Sequence, residues 1–176
     1  MFALLYDPLS EIRLLKRVSY ARVLVYLLSA SLFETVGILF FAWRYFNHLL
    51  TPNVVVNGVV FVLFSLILLH LVMAFFLSVS LHVLDGRGGY YEGLATLVAG
   101  SVAPAILLFF AGALAFIPFG VIVSAMLLLY GVILGASTCV RSAKELFELD
   151  YAGVLIGILI TKCSMVAIFA LAYFLR

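Results

Sequence analysis

Charge is what this chain has least of. Its 176 residues include only 10 basic and 8 acidic side chains, 10% in all, where a soluble domain carries about a quarter of its residues charged. That shortage excludes a fold surrounded by water on every side, and with it the ordinary cytosolic enzymes. The formal net charge of +2 leaves no basic patch of the kind a nucleic-acid binder needs, so no nucleic-acid partner is expected. Cysteine is also scarce. Cys139 and Cys163 lie in or beside apolar runs, with no CxxC and no paired histidine, so they read as small hydrophobes, and neither a metal nor a cofactor is expected. HExxH, GxSxG, a phosphate-cradling glycine loop and an intramembrane aspartate pair are all missing. No catalytic residue stands out, and the chain reads as a non-enzyme. The N-terminal basic cluster leads into a run too long for a signal peptide, so the chain is expected to be unprocessed.

What is present is apolar surface: 67% of positions are hydrophobic and the mean hydropathy is +1.33. About 20 such residues cross the hydrocarbon core as a helix, and five runs qualify: Tyr20–Trp43, Val54–Leu84, Tyr91–Phe116, Phe119–Val140 and Tyr151–Phe174. They are continuously apolar, without the alternation of a barrel strand. The expected fold is all-α: one polytopic membrane domain over residues 1–176, five transmembrane helices preceded by a short amphipathic helix. The second run is too long for one perpendicular crossing and must tilt, project into water or begin with an interfacial stretch. Arg13, Lys16, Arg17, Arg22, Arg87, Arg141 and Lys144 fall on the N-terminal side, against Arg44 and Arg176 on the other. By the positive-inside rule the N-terminus is cytoplasmic and the C-terminus outside.

Two short segments carry charge beside apolar residues. Asp7-Pro8 reads as an N-cap followed by proline at the first helical position, with Ile12, Leu15 and Val18 opposing Glu11, Arg13, Lys16 and Arg17. Ser142–Leu149 sets Leu146, Phe147 and Leu149 against Lys144, Glu145 and Glu148. Either segment serves as an interfacial anchor or as a docking surface for a partner, and the second also fits a helical turn packed beneath the spans. Within the membrane, small residues four apart let helices approach closely: Gly131 and Gly135 in the fourth run, Gly153 and Gly157 in the fifth, and Ala95, Ala99 and Ala103 in the third, where Pro104 frees a backbone carbonyl. These stripes predict one tight bundle of spans three to five, or alternatively a homodimer face.

Charged residues inside apolar runs carry the most functional information. Glu34 lies about 13 residues into the first run and Lys162 about 11 into the fifth, near the bilayer centre at about 1.5 Å per residue. An ionised side chain there costs about 2.5–3.5 kcal/mol or more, so it seeks a partner or water. A Glu34–Lys162 ion pair is the economical expectation, with His70 of the second run as a possible polar neighbour. The functional reading is a proton or ion relay; the structural one is a polar cluster that fixes helix register. The stretch Asp85-Gly-Arg-Gly-Gly-Tyr-Tyr-Glu92 combines an acid, a base and three glycines, yet has no nucleophile. A tight turn accounts for its glycines by backbone freedom alone.

The order of several motifs resembles the Yip-one domain family: Gly88-Gly89-Tyr90-Tyr91, the small-residue stretch Thr96–Pro104, Phe116-Ile-Pro-Phe119, and Tyr130-Gly-Val-Ile-Leu-Gly135 before a short charged segment and a last span. The resemblance runs from Asp85 to the C-terminus and more loosely over the whole chain. It implies a five-span, non-enzymatic scaffold, assembly factor or trafficking partner, whose partners are the bilayer, itself or other membrane proteins. Arg87, Gly88, Gly89, Arg141, Lys144, Glu145 and Glu148 would form its cytoplasmic partner surface. Only about 19 residues precede the first run, so GTPase binding, a property of eukaryotic members, is not carried over. A prokaryotic-type member of the cell membrane fits better. The competing expectation is a small transporter or proton- or ion-conducting protein that uses Glu34 and Lys162.

Overall fold

A computed structural model describes residues 20–174 of the chain. They form five helices long and apolar enough to cross a membrane, as expected for a multi-pass membrane protein. These are α1 (Tyr20–Phe46), α2 (Pro52–Val83), α3 (Tyr90–Leu114), α4 (Gly120–Phe147) and α5 (Tyr151–Phe174), with a single 3-10 turn at Asn47–Leu49 between the first two. The amphipathic N-terminal segment around Asp7-Pro8 lies outside the described residues. The ends of α1, α2, α3, α4 and α5 that carry Arg22, His82, Glu92, Lys144 and Tyr151 gather at one end of the bundle, called the basic end below.

Helix boundaries follow local chemistry. Thr51 accepts a hydrogen bond from the Val54 backbone N–H (3.4 Å) and Pro52 takes the first helical position of α2, a place where its missing N–H costs nothing. Glu92 reaches back to accept from the Gly89 N–H (2.7 Å) at the start of α3, and Asp150 accepts from the Gly153 N–H (2.7 Å) at the start of α5. At the far end of the bundle the Arg44 guanidinium donates to the Ala115 carbonyl (3.2 Å), a cation meeting the carbonyl-rich terminus of α3.

Of the readings of Ser142–Leu149, the helical turn packed beneath the spans holds and the separate interfacial piece does not. The chain stays helical through Phe147 because Ser142, Ala143, Leu146 and Phe147 are buried beneath the start of α3. Spans three to five do not form the expected tight bundle. The central helix is α3, packed against α4, α1 and α2, whereas α5 leans on α2 and touches α4 only lightly.

The small residues explain this arrangement. A Cβ at Gly131 would meet Leu107 and Pro104, and one at Gly135 would meet the Pro104 ring and the Gly100 carbonyl (2.6 Å). Pro104 has no N–H to give to Gly100, so the α4 backbone at Gly135 closes over that freed carbonyl. Gly37 and Gly112 do the same at the α1–α3 crossing, each against the other helix. Gly157 faces Leu81 of α2 and Leu84 just past its end, so its stripe joins α5 to α2, where Thr161 Oγ1 lies 3.1 Å from Ser80 Oγ. Gly153 meets only Asp150 and Leu149 at its own helix start and marks no crossing.

The α2–α3 turn also departs from the expected account. Its left-handed residue is Asp85 (φ 64°), and no glycine in the described residues has positive φ. Gly86 and Gly88 are needed for close approach instead: a Cβ at Gly86 would lie 2.7 Å from the Leu81 carbonyl oxygen and one at Gly88 2.6–2.9 Å from the Phe147 ring. The Arg87 N–H donates to the Phe147 carbonyl (3.0 Å), and Ser78 Oγ donates to the Gly89 carbonyl (3.1 Å). The turn is thereby fixed to both α4 and α2.

Candidate functional site

Because α5 leans toward α2, a cleft stays open between α4 and α5 and runs in to the face of α3. It is a cavity of about 580 Å³, and all five helices line it. That volume is in the range of small-molecule sites. Its walls are mostly apolar: Leu69, Met73 and Leu77 from α2, Leu97 and Pro104 from α3, Val132 and Val140 from α4, Leu155 and Ile158 from α5. Small residues make the room, with Gly100 on α3 and Gly135 and Ala136 on α4 at its wall.

Set into these walls are Glu34 of α1, His70 of α2 and Lys162 of α5. The three intramembrane ionisable groups singled out by sequence therefore share one site, although they come from three separate spans. The expected Glu34–Lys162 ion pair is not formed. Lys162 is exposed, and Glu34 Oε2 is buried with no hydrogen-bond partner among the described residues. In a low-dielectric interior an unpartnered carboxyl oxygen is costly. His70 Nδ1 lies 2.8 Å from the Leu66 carbonyl one turn earlier; a carbonyl accepts, so Nδ1 carries the hydrogen and Nε2 is left with its lone pair.

Two hydroxyls that the sequence also offers as polar positions inside the spans, Ser101 and Thr161, complete the polar lining. Ser101 Oγ donates to the Val98 carbonyl (3.0 Å), and Thr161 Oγ1 donates to the Gly157 carbonyl (2.8 Å) or to Ser80 Oγ (3.1 Å). Such residues are common in apolar helices, and only their position beside Pro104 and Lys162 in space makes them notable. Cys139, a free thiol, also lines the cavity. Among the described residues no three His, Cys, Asp or Glu side chains come together as a metal-ligand set.

The residues expected to form a partner surface gather at the basic end. Arg87 and Glu148 approach to 3.5 Å with both side chains largely exposed, so their pairing contributes little to stability. Lys144 Nζ sits 4.1 Å from the centre of the Tyr151 ring, a cation–π contact across the α4–α5 turn. Arg141 and Glu145 are exposed, Gly88 is buried against Phe147 and Gly89 caps α3. No family model matches the chain, and no curated protein or solved structure matches it either.

Proposed function

We propose that this membrane protein is a non-enzymatic binding or translocation protein that works through the cleft between α4 and α5. The observation that carries the reading is the convergence of Glu34, His70 and Lys162 on one ligand-sized cavity. Ionisable residues at such depth are expensive and by default mark a functional pathway. The mostly apolar lining favours a molecule with an apolar body over a bare ion, which would need a continuous polar path.

A second reading is a scaffold or assembly factor of the Yip-one type in the cell membrane, with the N-terminus cytoplasmic. It is supported by the tethering of the Gly88-Gly89 turn to Phe147, which holds Arg87 beside Glu148. Native mass spectrometry of the protein released from lipid nanodiscs tests both. The expected result is one low-mass ligand per chain, lost when Ala136→Phe puts a ring at the cleft wall. A stoichiometric protein partner lost on Arg87→Ala and Glu148→Ala, with no low-mass ligand, would favour the scaffold instead.

A further inference from the structure

Resting on the cleft reading above, we infer that the ligand is a lipophilic amine in its ammonium form, with its N–H donated to Glu34 and its apolar body laid along α2 and α5. The argument is a balance of hydrogen-bonding capacity. Glu34 lines the cavity with its Oε2 buried and without a hydrogen-bond partner among the described residues, and as a carboxylate it can only accept. The His70 Nδ1 hydrogen is committed to the Leu66 carbonyl, so Nε2 is a second acceptor. Ser101 and Thr161 both spend their hydroxyl hydrogens within the protein, on Val98 and on Gly157 or Ser80, and keep only lone pairs for a guest.

The cavity lining is thus rich in acceptors. Among the described residues its donors are the exposed Lys162 ammonium and the weak S–H of Cys139. A carboxylate guest would face these acceptors with more acceptors and would leave Glu34 Oε2 unpaired. A neutral guest would supply no charge to meet the carboxylate. An ammonium supplies both the missing N–H and the opposite charge, and a charge-assisted bond in an apolar pocket is the strong kind. The surrounding Leu69, Met73, Leu155 and Ile158 side chains ask that the rest of the molecule be hydrocarbon.

The test measures equilibrium binding of radiolabelled dodecylamine, dodecanoate and dodecanol to the intact chain in lipid nanodiscs, relative to partition into empty nanodiscs. The expected result is saturable binding of dodecylamine at one per chain and at least about tenfold weaker binding of the other two. Glu34→Gln should weaken the amine by about tenfold or more, and Ala136→Phe should abolish its binding. Comparing the three probes on the native chain decides the ligand class even if a variant fails to fold. Equal binding of dodecanoate or dodecanol, still lost in Ala136→Phe, would overturn the amine assignment and leave the cleft reading standing. Binding of none of the three above the empty-disc level would overturn the amine assignment. If, in addition, native mass spectrometry finds no low-mass ligand, the cleft reading falls with it.

Discussion

At the scale of single residues, Gly88 and Gly89 separate two uses of glycine that look identical in sequence. A methyl group at Gly88 would press into the Phe147 ring at 2.6–2.9 Å, whereas at Gly89 the nearest atom is Glu92 Oε2 at 3.5 Å. Gly88→Ala should therefore destabilise by about 1–3 kcal/mol through overpacking, and Gly89→Ala by no more than about 0.5 kcal/mol. Reversible unfolding of each variant in mixed micelles checks the contrast; equal losses would show that the ring approach is not what requires Gly88. The ionisable residues of the cavity were legible at this scale, because Glu34, His70 and Lys162 interrupt apolar runs and membrane burial makes such interruptions costly. Their relation was not. Whether an acid and a base in separate helices touch depends on helix rotation and tilt, and here Lys162 is exposed while Glu34 Oε2 is buried without a partner among the described residues.

Among the elements, helix existence was readable from hydropathy, and the five spans stand where the apolar runs do. Ends and neighbours were less so. The charged stretch after Val140 reads in sequence as an amphipathic piece of open placement, because Arg141, Lys144 and Glu145 fall in it, and the structure makes Ser142, Ala143, Leu146 and Phe147 a buried helical face between those charges. Small-residue spacing identifies a face that can pack closely but not the helix it packs on, which is why the Gly157 stripe meets α2 and not α4. The α3–α4 crossing depends on Gly135, whose Cβ would strike Pro104 and the Gly100 carbonyl. Gly135→Val should cost about 1–3 kcal/mol. Gly58 of α2 has nothing within 4 Å of a new Cβ, so Gly58→Ala should be neutral or stabilise by up to about 1 kcal/mol from helix propensity. Thermal unfolding of both variants in the same detergent reads the difference. A Gly135→Val protein as stable as its parent would mean the two helices do not meet there.

For the whole molecule, the decisive feature is that α3 gathers α1, α2 and α4 about itself while α5 stands against α2. That asymmetry opens the cleft and brings residues from five separate spans, Glu34 through Lys162, to one wall. No local pattern encodes it, since it arises from which of several close-packing faces find one another. The most direct test of the cleft as a ligand site is photolabelling in bilayers with a diazirine-bearing alkyl amine, with adducts mapped by peptide mass spectrometry. Adducts on Glu34, His70 and Cys139, suppressed by excess dodecylamine, are expected. Adducts confined to exposed outer positions such as Phe61, Phe64, Ile122 and Met126, unaffected by dodecylamine, would contradict the account.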